Sequence, residues 1–191
     1  VMGVMKRYGV HRRHAQHVAR LALQIFDATA ELHGLRIDDR RTLEFAALLH
    51  DVGHHIAGEG HPRHGQYLIR HTRMSGFTAP EVEVIGSIVR YHRGKKPKKT
   101  HDPFRALPAE DRRKVTYLAA ILAVADGLDR GHNQRTWRLD TAIGPDEVVL
   151  RAFTTDEGHL ERWASGDRAR NLGKVLGRPV TVTVEQAEPP S

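Results

Sequence analysis

The sequence predicts a mainly α-helical bundle followed by a small α+β C-terminal part. Three observations carry this. Apolar residues recur at helical spacing as far as Gly131, and capping residues, prolines and glycines punctuate that pattern where helices would start and stop. Beyond Gly131 the pattern shifts to short apolar runs, one of them strictly alternating. The expected division is therefore residues 1–132 and 133–191.

Taken in order, residues 12–33 read as one long amphipathic helix, with Val18, Leu21, Ala22, Ile25, Phe26 and Leu32 in a stripe and Gly34 behind it. A second helix starts near Asp38 or Asp39, carries Leu43, Ala46, Ala47 and His50, and stops at Gly53. Pro62 can open a third, with His64, Tyr67, Leu68 and His71 on one side. Thr78 to Glu81 is a capping box, and the helix behind it presents Val82, Ile85, Ile88, Val89 and His92 before Gly94. Pro108 opens a fifth through Val115, Leu118, Leu122, Ala125, Asp126 and Asp129, closed by Gly131. In the tail, strands are expected around Trp137–Leu139, Glu147–Phe153 and Leu160–Trp163. A short helix capped by Ser165 precedes an alternating strand of Val180, Val182 and Val184, and Ala187–Ser191 reads as disordered.

Five groups stand where an apolar face should have none: His14, His50, Asp51, His92 and Asp126. Burying one without a partner costs kilocalories; burying all of them makes sense if they converge. Imidazoles and carboxylates converging inside a helical bundle most simply mean a metal site. A His-Asp pair alone says little, since the chain also has one at His101-Asp102, in a loop before Pro103. His50-Asp51 differs by ending an apolar helix. Among the other histidines, His17 reads as a boundary residue, and His11, His33, His71, His132 and His159 as surface or capping residues.

The bulk numbers narrow the partners. Without cysteine there is neither a disulfide nor a thiolate ligand, which suits a cytoplasmic protein. The longest apolar run, Tyr117 to Ala125, is nine residues and far too short to span a bilayer, and no signal-peptide pattern opens the chain. Net charge is +7, and residues 90–99 carry six Lys or Arg with no acid, nearly the whole excess. That loop is either a solvated charge run or a phosphate-attracting rim. A duplex binder would spread its basic residues along a face, so nucleic acid is not the expected partner.

With the order H…HD…D in hand, the residues resemble a known family. His14 to Val18, LLHDVG at 48–53 and ADGLD at 125–129 look like the HD superfamily of metal-dependent phosphohydrolases. More narrowly, HVARLALQIFD, AALLHDVGHHI, HPRHGQYLI, GFTAPEVEVIGSIVRYHRGKKP and LAVADGLDR resemble the C-terminal HD domain of the exopolyphosphatase/guanosine pentaphosphate phosphatase family, over about residues 8–185. The resemblance implies an HD-type helical bundle with a small α+β tail. It also implies a divalent transition metal (Mn, Fe, Ni, Co or Zn), one or two ions, held by His14, His50, Asp51, His64, His92 and Asp126. Asp51 would bridge the two. Binuclear HD enzymes commonly have one ligand more than is found here, and His64 is preferred to His61 on periodicity and on the family match.

The resemblance further implies a phosphohydrolase. The ion would supply hydroxide near neutral pH, Asp51 and His54 would be catalytic (His54 or its neighbour His55 as proton donor), and Arg90, Arg93 and Lys95 would clamp phosphoryl oxygens, with Arg130 a further candidate. The substrate would be phosphate-rich: polyphosphate or a nucleotide such as a guanosine polyphosphate. The rival is a non-catalytic module that binds polyphosphate or nucleotide. A third reading is a homodimer or a subunit completing a separate actin-like phosphatase, since the family's N-terminal actin-like portion is not in this sequence. Retention of the full His/Asp set favours the enzyme. Replacing Lys95, Lys96, Lys98 and Lys99 together by Ala should weaken polyanion binding and flatten its salt dependence while metal content stays unchanged. Titration with tripolyphosphate at two ionic strengths decides between rim and solvated loop.

Overall fold

The computed structural model describes residues 1–98 and 100–189; Lys99 of the basic loop and Pro190 and Ser191 of the tail lie outside the described residues. The bundle is built from α1 (Met2–Arg7), α2 (Arg12–Ala28), a single turn α3 (Ala30–His33), α4 (Ile37–Leu49), α5 (His61–His71), α6 (Ala79–Tyr91), the short α7 (Asp102–Arg105) and α8 (Ala109–Gly127). A 3₁₀ turn, Val52–His55, links α4 to α5. The tail follows as β1 (Thr136–Ile143), β2 (Val148–Thr154), α9 (His159–Leu176) and β3 (Val180–Gln186). The protein is thus mainly α, with a small α+β part at its C-terminus. No helix among the described residues is long and apolar enough to cross a membrane.

α2 packs on α4 and α8, and α6 packs on α4, α5 and α8. Between them Leu21, Ile25, Leu43, Leu49, Ile85, Ile88, Leu118, Ile121 and Leu122 are fully buried. α8 is buried on nearly every side because α9 covers the face that the bundle leaves open. The same hydrophobic cluster runs on into the tail through Leu150, Leu172 and Val184.

Several expectations change. The 12–33 helix breaks at buried Thr29, whose hydroxyl donates to the Ile25 carbonyl, and His33 is buried rather than at the surface: Nε2 pairs with the Phe26 carbonyl and Nδ1 accepts from Leu35. On α5 the buried face is His61, Gly65, Gln66 and Ile69, while Tyr67 and His71 face solvent. Leu160–Trp163 is the first turn of α9, not a strand, and Ser165 is buried inside that helix with its hydroxyl on the Glu161 carbonyl. The topology explains this. The sheet order is β1-β2-β3, with β1 antiparallel to β2 (Leu139 opposite Ala152) and β2 parallel to β3 (Leu150 opposite Val182). A parallel pair needs a long crossover, and α9 is that crossover. Ala187, at the head of the expected disordered end, is tied down: its N–H donates to the Thr154 carbonyl and its own carbonyl accepts from Trp137 Nε1.

The link from α4 to α5 is the tightest approach in the fold. A Cβ on Gly53 would lie inside the contact radius of the His61 carbonyl and the Gly65 nitrogen, and one on Gly65 would come within 2.8 Å of Val89 Cγ1. Gly53→Ala should therefore cost about 3 kcal/mol, lowering Tm by roughly 6–12 °C. A thermal melt followed by circular dichroism that shows no shift would refute the close packing of the turn on α5.

Candidate metal centre

The histidines and carboxylates meet at one end of the bundle because of where each sits on its helix. His14 is in the first turn of α2, while His50 and His92 are the residues that end α4 and α6. Asp126 lies in the last turn of α8, and Asp51 follows His50 directly. Helix C-termini leave carbonyls without partners. Here the histidine rings take two of them: His50 Nδ1 lies 2.7 Å from the Ala47 carbonyl and His92 Nδ1 lies 2.6 Å from the Val89 carbonyl. His61 Nδ1 does the same with Gly58, at 2.9 Å, and His14 Nδ1 lies 2.8 Å from Asp129 Oδ2.

These partners decide the tautomers. A carbonyl or carboxylate oxygen only accepts, so each Nδ1 carries a proton and each ring turns its Nε2 inward, as a lone pair wherever the ring is neutral. His14 Nε2 faces His50 Nε2 at 3.1 Å, and His61 Nε2 faces His92 Nε2 at 3.3 Å. Two lone pairs at that distance repel unless a positive charge, a shared proton or a metal cation, lies between them. The carboxylates repeat the signal, because buried Asp51 Oδ1 and Asp126 Oδ1 have no hydrogen-bond partner among the described residues. Each is an orphaned acceptor of the kind a cation satisfies.

Asp51 joins two groups of donors. Its Oδ2 lies 3.6 Å from His14 Nε2 and 3.5 Å from His50 Nε2. Its Oδ1 lies 3.4 Å from His61 Nε2, 3.5 Å from His54 Nε2 and 3.8 Å from His92 Nε2. Asp126 Oδ1 completes the first group, 3.7 Å from His14 and 3.5 Å from His50. Among the described residues, four overlapping sets of three such side chains have ligand atoms close enough to share an ion: His14, His50, Asp126; His14, Asp51, His132; His50, Asp51, His92; and Asp51, His54, His61.

Charge follows from this geometry. Burial works against a proton on His14, but the neighbouring Asp126, the hydrogen bond to Asp129 and the charge of Asp51 outweigh it and raise its pKa to about 9, so with no ion bound the ring holds a second proton. Burial likewise opposes ionisation of Asp51, yet His50 and His92 hold its carboxyl well below the usual carboxylate range. His92, fully buried and facing the charge of His50, is pushed down to about 3 and is neutral.

The other expected site residues fall as follows. His54 is exposed and stacks on His61, with ring centroids 4.0 Å apart. His64 belongs to none of the clusters among the described residues; the structure sets His61, not His64, against His92 and Asp51. Arg90 is turned away, its guanidinium donating to Gln66 Oε1 at 2.8 Å. Lys95 is exposed beside Lys96, whereas Arg93 reaches Asp126 Oδ2 at 3.4 Å. Three further participants were not anticipated. Asp129 orients His14, and the backbone N–H of Gln134 donates to its other oxygen at 2.7 Å. His132 is exposed, as expected, yet its ring stacks on His14 with centroids 3.6 Å apart, its backbone at φ 54°. Arg168 of α9 donates to Asp126 Oδ2 at 2.9 Å.

The fold and site together define a helical bundle with a buried His/Asp centre whose residues fit a metal ion. The family model described as Ppx/GppA phosphatase, domain III, matches residues 1–161, and the chain belongs to that family. Relatives named guanosine-5'-triphosphate,3'-diphosphate pyrophosphatase are similar to it. The one from Pseudoalteromonas atlantica is 32% identical over 90 residues, covering 47% of this chain and 18% of the relative. That from Aeromonas hydrophila is 29% identical over 128 residues, covering 64% and 24%. The chain spans about a quarter or less of the length of these relatives.

Asp129→Asn should leave His14 in place but weaken its hold and its basicity. Metal affinity is expected to fall about 10–100-fold, read by competition titration against a chromophoric chelator.

Proposed function

We propose that this chain is a metal-dependent phosphohydrolase of HD type, acting on a phosphate-rich substrate, polyphosphate or a nucleotide. The observation that carries the reading is the pairing of inward-facing Nε2 atoms around Asp51, whose two oxygens serve separate donor groups. That arrangement supports two divalent transition ions bridged by Asp51: one with His14, His50 and Asp126, the other with His61 and His92. His54 is the adjoining donor. His61 then takes the place that the sequence resemblance gave to His64.

The ions, when bound, would supply Lewis acidity and water acidified to near neutrality. The chain's own residues do the rest. Asp129 and the carbonyls of Ala47, Gly58 and Val89 keep the four rings in a single tautomer and orientation. Arg93 and Arg168 both meet the outer oxygen of Asp126, whose carboxyl His14 and His50 hold well below the usual range despite its burial, and they line the approach for phosphoryl oxygens. His54, exposed at the rim, would give a proton to a leaving oxygen. The basic loop draws polyanions toward the site. We read the protein as cytoplasmic, from its lack of cysteine. The short coverage of longer relatives supports a unit that works with a further phosphatase portion.

Asp51→Ala removes the shared ligand. Purified wild-type protein should carry one or two transition-metal ions per chain by plasma mass spectrometry and release phosphate from tripolyphosphate or a nucleotide. The variant should lose both the metal and at least about 10³-fold in rate, with helical content kept. Wild-type chain that stays empty after incubation with Mn, Fe, Ni, Co or Zn would end the hydrolase reading.

A further inference from the structure

Arg93 and Arg168 meet on Asp126 Oδ2, while Asp126 Oδ1 faces His14 and His50, so the two guanidiniums stand on the outer side of the centre. There they line a cleft of about 360 Å³ whose walls also include Arg130, Trp163 and Asp167. The cleft has two chemically different ends. Three arginines offer planar forks suited to phosphate oxygens. Trp163 offers a bare aromatic face, 76% exposed, on a helix whose Ala164, Ala169 and Leu172 are buried.

The contrast with Trp137 sharpens the point. That indole is half-buried, and its N–H is bonded to the Ala187 carbonyl, so the fold uses it. Among the described residues Trp163 makes no comparable hydrogen bond, and its side chain stays exposed. Inorganic polyphosphate has no apolar surface to lay on an indole; a nucleobase has one on each face. Asp167, one helical turn beyond Trp163 and paired with Arg170, adds an acceptor for ring N–H groups at the same end.

We propose that this cleft is a nucleotide subsite, with phosphates on Arg93, Arg130 and Arg168 and the base stacked on Trp163. The proposal rests on the reading of the neighbouring centre as a phosphohydrolase, because it takes the cleft as the seat of the substrate's non-reacting part. It selects nucleotides over linear polyphosphate as the better-held class.

The chain has two tryptophans, so Trp137→Phe leaves Trp163 as the single indole reporter. GMP and AMP should quench its fluorescence saturably; inorganic tripolyphosphate should not quench, yet should displace the nucleotide. By calorimetry on the otherwise unaltered chain, Trp163→Leu should weaken GMP binding about tenfold and tripolyphosphate binding less than about twofold. Arg130→Ala should weaken both. No saturable quenching, or equal GMP affinity in wild type and Trp163→Leu, would overturn the subsite and leave a plain phosphate clamp. Metal content and tripolyphosphate hydrolysis, measured on the same preparations, separate the two claims. A metal-loaded, hydrolysing chain that fails to bind GMP loses only the subsite, whereas a chain with neither metal nor hydrolysis loses the enzyme reading.

Discussion

A helix that ends inside a protein must find partners for its last carbonyls, and at the ends of α4 and α6 a histidine ring serves as one of them. His50 and His92 each fold back on the carbonyl three residues earlier, at Ala47 and Val89. That one hydrogen bond caps a helix and removes Nδ1 from contention as a ligand, forcing the remaining lone pair toward the bundle axis. The cost of placing imidazoles in an apolar interior is offset locally before any ion is considered. The convergence of Nε2 atoms follows from helix termination, which is why the centre sits at the end of the bundle rather than at its middle.

Carboxylates play the complementary part. Asp51 lies at a junction: its position directly after the α4 cap gives each oxygen a different audience of donors. Asp126 is divided in another way, with one oxygen toward His14 and His50 and the other toward Arg93 and Arg168. Burial opposes ionisation of Asp126, yet His14 and His50 hold its carboxyl well below the usual carboxylate range. The site is therefore electrically balanced by groups from both the bundle and the tail.

Much of this was legible from residue order. The bundle helices announce themselves by apolar spacing, and His14, His50, Asp51, His92 and Asp126 stand out as polar residues in register with those stripes. α5 was harder. Its inward face carries two glycine-sized contacts, at Gly53 and Gly65, so the close approach leaves no bulky apolar residue at position 65 to mark it, and periodicity drifts toward His64, Tyr67 and Leu68. Glycine inside a helix was itself the signal. In the tail, Leu160 and Trp163 look like strand material only if their apolar side chains are assumed buried, and both are exposed. Arg168 had no local signal at all, because its role depends on how α9 lies across α8.

That last placement has a consequence for the order in which the protein is made. Residues 1–127 hold every donor of the His/Asp sets except His132, yet the guanidinium 2.9 Å from Asp126 arrives only with residue 168, and α9 itself is pinned by the later strand β3. A nascent chain therefore carries an under-compensated acidic pocket through much of its synthesis, and that pocket closes electrically only when the tail has emerged and folded. The bundle alone brings most of the His/Asp donors together, but the finished centre is a late product of the whole chain.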